Sequence, residues 1–154
     1  MKSRKILLFG CIIIFMGLVI ILYFAFGKTT SIDQSTIIQQ FEDNRVTFNA
    51  IKDYAIKSDG YMFIARHGAM VNNKDDEKLL ITDENALSNI NYLKSSLSFL
   101  AIYEGQDDTL FFMRYLDRKY EKGIAYISNG EIPLAFIKTE FLGDNWYYYE
   151  SGKV

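Results

Sequence analysis

The chain has 154 residues, a formal net charge of −2 and 49% hydrophobic residues. Three of its 17 basic residues precede an uncharged apolar segment at residues 6–27, and all 19 acidic residues follow that segment. The part beyond it therefore carries 14 basic and 19 acidic residues, a net charge of −5. This balance argues against a nucleic-acid-binding domain, which needs a basic face.

The apolar segment predicts a transmembrane helix over residues 6–27. A helix of 22 residues is about 33 Å long, and the hydrocarbon core of a bilayer is about 30 Å thick. The apolar core of a secretory signal peptide is shorter, at about 7 to 15 residues. Lys2, Arg4 and Lys5 precede the segment, so the positive-inside rule predicts a cytoplasmic tail at residues 1–5. We therefore expect a signal-anchored, single-pass protein of the cell membrane with its C-terminal domain outside.

Cys11 leaves one alternative open. Leu8-Phe9-Gly10-Cys11 has the outline of a lipobox, in which the cysteine is acylated after cleavage. Phe9 is bulky where such sites take a small residue, and the apolar residues 12–26 would follow a lipid anchor that needs no helix. Cys11 is the only cysteine, so the outer domain has no disulfide. This points to a bacterial and most simply a Gram-positive source.

Residues 28–34 form a short polar tether, and residues 35–154 have the size of one domain. Its first part predicts two amphipathic helices. Apolar residues recur at helical spacing from Ile37 to Ala55, with Asp33 or Ser35 as the N-cap. Thr82 is the predicted N-cap of the second helix, which we expect to end near Ser96.

Most of the remaining pattern predicts β-strands. Short strands are expected at 61–66, 69–72 and 79–81, with a turn at His67-Gly68 and a loop at 72–78. From residue 99 onward the pattern predicts five strands, at 99–103, 109–115, 123–127, 134–141 and 146–149. Tight turns at 128–130 and 143–145 predict that consecutive strands are antiparallel neighbours. We therefore expect an α+β domain in which two helices pack on an antiparallel sheet of about five to seven strands.

One resemblance concerns the C-terminal end. Gly123-Ile-Ala-Tyr126, Pro133 and Asp144-Asn-Trp-Tyr-Tyr-Tyr-Glu150 together resemble the end of small uncharacterised membrane-anchored proteins of Gram-positive bacteria. In those proteins a comparable domain follows a signal or an anchor and ends in a similar aromatic strand. The resemblance implies placement and source, and it implies no activity for any residue.

The residues that carry catalytic or metal chemistry are sparse. His67 is the only histidine, and no nucleophile motif lies near it. The acidic groups at 75–77 and 107–108 lack the alternating oxygen ligands and the glycine of a calcium loop. No glycine-rich phosphate loop is present. We therefore predict no catalytic residue, no metal and no cofactor, and we do not expect an enzyme.

The aromatic C-terminal strand is the best candidate for a binding surface. In a strand, Trp146 and Tyr148 share one face, and Tyr147 and Tyr149 share the other. If helices cover only the first face, Tyr115, Tyr126, Tyr147 and Tyr149 are the candidates for an exposed aromatic platform. If both faces are covered, these tyrosines belong to the core.

These observations predict a surface interaction or accessory module rather than an enzyme. The acidic outer domain suits a basic protein or peptide partner. The alternative is an immunity-type protein that binds a toxin at the membrane. The neighbouring genes would distinguish the two, because an adjacent toxin or secretion gene favours immunity and an adjacent sensor or transporter favours an accessory role.

The predicted topology can be tested on intact cells. Because three basic residues precede the apolar segment, we expect a protease added outside the cells to cut the charged stretch at Lys119 to Lys122. Immunoblotting of a C-terminal tag measures the cleavage. If that stretch stays protected until the cells are lysed, the orientation is reversed.

Overall fold

The computed structural model describes residues 32–58, 61–64, 71–74, 77–105 and 109–152. Ile32–Val154 belong to one compact unit. The predicted tail and span, Cys11, the turn at His67-Gly68 and the acidic pairs at 75–76 and 107–108 lie outside the described residues. Of the helices within the described ranges, none is long and apolar enough to cross a membrane.

The described elements are α1 (Gln34–Asp43), α2 (Arg45–Lys57), β1 (Tyr61–Ile64), β2 (Val71–Lys74), β3 (Glu77–Leu80), α3 (Glu84–Ser95), β4 (Ala101–Glu104), β5 (Thr109–Leu116), β6 (Tyr120–Ile127), β7 (Phe136–Gly143) and β8 (Trp146–Gly152). The described strands form one antiparallel sheet of eight strands in the order β3-β2-β1-β4-β5-β6-β8-β7. The α+β class with an antiparallel sheet is confirmed. The predicted loop at 72–78 is wrong, because β2 and β3 pair there from Val71↔Leu80 to Lys74↔Glu77.

The prediction of a single first helix is wrong, because that region contains α1 and α2, which break at Asn44. The Asn44 backbone leaves helical geometry, at φ −127° and ψ 21°. Its side-chain nitrogen donates to the Gln40 carbonyl at 2.8 Å, and its side-chain oxygen accepts from the Tyr92 hydroxyl at 2.9 Å. An asparagine that bonds locally to the backbone competes with the helix in this way. The bond to Tyr92 also ties the break to α3.

The cap of α3 lies one residue later than predicted. Asp83, rather than Thr82, is the N-cap, and its Oδ1 accepts from the Ala86 backbone N–H at 2.8 Å. Both threonine and aspartate can accept from a free N–H of the first turn, so the residue types alone do not decide whether Thr82 or Asp83 is the N-cap. The helix ends at Ser95 with Ser96 as its C-cap, which confirms the predicted end.

All three helices pack on one side of the sheet, here called the helix face. At its centre the indole of Trp146 is 1% exposed and donates to the Asn49 side-chain oxygen at 3.2 Å, so its single polar atom is satisfied. Twelve buried residues illustrate the core on this face: Ile37, Phe41, Phe48, Ile51, Ile90, Leu93, Ile102, Leu110, Phe112, Ile124, Trp146 and Tyr148. The opposite side, here called the second face, carries a smaller cluster of Ala125, Ile127 and Tyr149, with Phe111, Phe136 and Tyr147 packed against it.

The predicted simple succession of neighbouring strands is wrong at its end. The last strand, β8, lies between β6 and β7 and is antiparallel to both. Consequently β6 and β7 run in the same direction, and the turn at 128–130 does not close a hairpin between them. The hairpin predicted at 143–145 does join β7 to β8, with positive φ at Gly143, Asp144 and Asn145.

Residues 128–135, here called the crossover segment, must therefore run along the whole length of β8. At one end the Ile127 N–H bonds to the Asn145 carbonyl at 3.0 Å, and at the other the Gly152 N–H bonds to the Ala135 carbonyl at 3.3 Å. On the helix face α1 lies over β8, with the Phe41 ring 5.1 Å from the Trp146 ring. The helix face above β8 is therefore already occupied by α1.

The strand β6 starts at Tyr120, three positions before the predicted start at Gly123. Asp117 closes a tight turn before it, because its Oδ1 accepts from the backbone N–H groups of Lys119 and Tyr120, both at 2.7 Å. Glu121 and Lys122 therefore belong to the sheet, while Arg118 and Lys119 lie in the turn. A side chain that satisfies turn N–H groups shortens the connection in this way.

Gly123 offers a test of this strand pairing. A Cβ built at Gly123 would lie 2.1 Å from the Phe112 backbone oxygen, while one at Gly152, also on an inner strand, would meet only the end of Ile137 at 3.8 Å. We expect Gly123→Ala to lower the free energy of unfolding by about 2 kcal/mol or more, because backbone must move. Gly152→Ala should change it by less than about 0.5 kcal/mol. Urea titration of a chain that lacks residues 1–31 measures both changes in the free energy of unfolding. Equal changes for the two variants would mean that the backbone at Phe112 can move away from position 123 at little cost.

Candidate functional site

The structure divides the four tyrosines of the predicted platform between the two faces. Tyr115 and Tyr126 lie on the helix face, where Lys52 Nζ sits 5.0 Å from the centre of the Tyr126 ring. Tyr147 and Tyr149 lie on the second face. The predicted alternation within β8 is therefore correct, with Trp146 and Tyr148 on the helix face. A single stripe of all four tyrosines does not form.

Tyr149 is completely buried, at 0% exposure, although no described helix packs on its face. Its ring is stacked on Phe136 at 4.8 Å and meets the edge of Phe111 at 5.3 Å. The sequence pattern predicted either a platform or a core for this residue. Since Phe136 and Phe111 pack against the ring of Tyr149, the core alternative describes this residue.

The hydroxyl of Tyr149 belongs to a hydrogen-bonded group on the second face. Both Tyr149 and Tyr103 donate to Oε1 of Glu121. Burial is the main cause that raises the pKa of Tyr149 well above its ordinary value, and Tyr103 and Glu121 add to the rise. The Tyr103 ring stacks on Phe111 at 4.9 Å. The hydroxyls and the carboxylate are thus fixed within an aromatic layer.

This group, here called the Glu121 cluster, is chemically suited to structure more than to catalysis. One carboxylate oxygen accepts two phenol hydrogens, which satisfies the buried hydroxyl of Tyr149. Across the described residues no group of three or more His, Cys, Asp and Glu side chains is placed to hold a metal ion. The two hydrogen bonds join β4, β6 and β8 on the second face.

A second charged group lies on the helix face near the sheet edge. The Tyr148 hydroxyl donates to Glu150 Oε1 at 2.7 Å, and Lys122 and Lys138 approach the same oxygen at 3.3 and 4.0 Å. Burial acts to raise the pKa of Glu150, but the hydrogen bonds and charges of Tyr148, Lys122 and Lys138 outweigh it and lower that pKa. Burial and Glu150 together raise the pKa of Tyr148. These contacts join β6, β8 and β7.

The least expected feature is a set of exposed apolar side chains near the C-terminal edge. Leu134 is 104% exposed, Phe141 62% and Ile132 47%. Phe141 lies on the second face, where its ring centre is 5.2 Å from that of Tyr147. Ile132 and Leu134 lie on the crossover segment, between the end of β6 and the start of β7. We call Ile132, Leu134 and Phe141 the crossover surface.

Sequence reasoning missed the crossover surface because it placed Leu134 inside a strand. One signal was available: Ile132 and Leu134 flank Pro133, the only proline of the chain. A proline cannot donate to a sheet ladder, so apolar residues on both sides of it are more typical of a loop than of a buried strand. The proline therefore indicates that Ile132 and Leu134 are exposed, but it does not indicate what binds them.

Comparison with known proteins finds no matching family model, no matching curated protein and no matching solved structure.

Alkaline pH tests the buried tyrosines. Free tyrosine has a pKa of about 10, whereas Tyr148 and Tyr149 keep their protons to higher pH in the folded domain. Their contribution to stability is therefore complete below about pH 10 and falls as the pH rises further. Each group lowers the free energy of unfolding by up to about 1.4 kcal/mol per pH unit in that range.

We expect Tyr149→Phe to make this loss of stability shallower, because only Tyr148 of the pair remains. The substitution also removes the bond to Glu121, which should lower stability at neutral pH by about 1 kcal/mol. Urea midpoints between about pH 8 and about pH 11 measure both effects. Parallel pH profiles of the wild type and the variant would contradict the burial of the Tyr149 hydroxyl.

Proposed function

We propose that this chain is a single-pass membrane protein whose extracytoplasmic domain binds another protein at the cell surface. The apolar residues 6–27 and the basic residues before them support the anchor and its orientation. The compact unit Ile32–Val154 supports a domain that works as one body. The role is that of an interaction or accessory module rather than an enzyme.

The observation that carries this proposal is the exposure of the crossover surface. Ile132 and Leu134 are exposed apolar side chains directly before β7, and Phe141 is an exposed apolar side chain on β7 itself. Exposed apolar side chains that occur together mark interaction sites on soluble domains more often than single ones do. Leu134, which is fully exposed, is the natural anchor residue for a pocket on a partner.

The charge around this surface indicates the chemistry of the partner. Glu131 is exposed and directly precedes Ile132. The net charge beyond the apolar segment is −5, so a basic protein or peptide would be attracted to the domain before contact. A partner that combines a basic residue with an apolar pocket fits the crossover surface. Nucleic acid does not fit this charge.

Photo-crosslinking in intact cells tests the proposal. A photoreactive phenylalanine analogue at position 134 should form an adduct with one other protein. The same analogue at position 46 is the matched control, since Val46 is 84% exposed on α2 but lies on the helix side. We expect Glu131→Lys to reduce the adduct at position 134 about fivefold, because reversing one rim charge costs about 1 kcal/mol.

Immunoblotting detects the adducts, and two outcomes would contradict the proposal. Equal labelling at positions 134 and 46 would mean that the crossover surface does not select a partner. An adduct that is unchanged by Glu131→Lys would mean that the partner is not basic at that contact. Unfolding of Glu131→Lys is not expected, because this residue is exposed.

A further inference from the structure

The strand β7 is at the end of the described sheet, where only β8 pairs with it. It contains eight residues, Phe136–Gly143, and no proline, and its pairing with β8 is regular from Lys138 to Phe141 with an irregularity on either side. The outer edge of such a strand presents unpaired backbone N–H and C=O groups, which form a template for another strand. A strand that pairs with this edge must have side chains complementary to those of β7.

The residues of β7 are complementary to a second copy of β7 in antiparallel orientation. If a twofold axis passes through Thr139, Lys138 of each copy lies opposite Glu140 of the other. Lys138 and Glu140 share the helix face, since they pair with Glu150 and Tyr148 of β8. Opposite charges in directly opposed positions stabilise antiparallel strands, while like charges destabilise them.

The same pattern disfavours neighbouring registers. A shift by a single residue between the copies would turn the side chains to opposite faces. Moving the axis to position 138 sets Lys138 against itself, and moving it to position 140 sets Glu140 against itself. The axis at Thr139 avoids both like-charge pairs and places the two small Thr139 side chains opposite each other on the second face.

We propose that two copies of this protein pair edge to edge through β7, with the twofold axis at Thr139. In this arrangement Glu140 of one copy, which already accepts from Gln34 of α1 at 2.5 Å, also meets Lys138 of the other copy. Lys138 in turn lies 4.0 Å from Glu150. The two edges become one continuous antiparallel sheet.

The symmetry of this pair suits two chains anchored in one membrane, a point that depends on the proposed anchor. The twofold axis of antiparallel edge pairing is perpendicular to the sheet, so the helix faces of both copies lie on the same side. Ile32 packs against the helix-face core, and Gln34 bonds to Glu140 near the axis. In both copies the described domain therefore begins on the helix-face side of the joined sheet and near the twofold axis. Tethering to one surface also raises the effective concentration, so a short pairing suffices.

Cysteine crosslinking of the full chain in its membrane tests the pairing. In a Cys11→Ser background, Thr139→Cys brings two cysteines into directly opposed positions, where the Cα atoms of antiparallel strands are about 4.5 to 5.5 Å apart. That spacing lies within the range for a disulfide. We expect mild oxidation to give a dimer at least tenfold faster than in the Val46→Cys control, which is 84% exposed on α2.

Charge reversal gives a second, independent test in the Thr139→Cys background. Lys138→Glu alone and Glu140→Lys alone each create like-charge pairs, so each should slow the crosslink at least fivefold. Coexpression of the two single variants with different tags should give a mixed dimer in preference to either homodimer, because every opposed pair is then complementary. Melting curves of each variant show whether it remains folded.

Three outcomes would overturn the pairing: a Thr139→Cys crosslink no faster than the Val46→Cys control, no preference for the mixed dimer, or a Thr139→Cys adduct with a different protein. The photo-crosslink at position 134 is read separately. Loss of that adduct with a normal disulfide dimer would refute the crossover surface alone, and the reverse result would refute the pairing alone.

Discussion

The position of β8 between β6 and β7 determines most of the C-terminal half of this domain. Since β6 and β7 run in the same direction, the chain must pass β8 to connect them, and α1 already occupies the helix face above β8. This connection exposes Ile132 and Leu134 and leaves β7 as the outer strand. The crossover surface and the free edge thus have one topological cause.

The two faces of β8 are stabilised by different chemistry. On the helix face Trp146 fills the space between α1, α2 and the sheet, and removal of such a side chain costs about 3 to 5 kcal/mol. On the second face the burial of Tyr149 depends on the carboxylate of Glu121, because an unsatisfied phenol in that place would cost about 1 to 3 kcal/mol. Apolar packing and hydrogen bonding therefore stabilise different residues of the same strand.

Sequence periodicity identified the faces of the elements but not their order. The alternation from Trp146 to Tyr149 and the end of α3 near Ser96 follow from local patterns, and both agree with the structure. The break at Asn44 does not disturb the spacing of the apolar residues on either side of it, so periodicity conceals it.

The order of the strands lies beyond local pattern, since a hydrophobic residue shows that it is buried and not which strand is beside it. The turn-like residues 128–130 suited a hairpin equally well. The Glu121 cluster could not be foreseen for the same reason, because Glu121 and Tyr149 are 28 positions apart and meet only once β8 is placed beside β6. Edge pairing through β7 would add a consequence for binding. A pairing that uses the same edge on both copies closes on itself and does not extend into a fibre through that edge. The twofold axis would put Phe141 of both crossover surfaces on the same side of the joined sheet, away from the helices and from Ile32. A partner with two basic, apolar contact sites could then bind both copies at once, and its apparent affinity would exceed that for either surface alone.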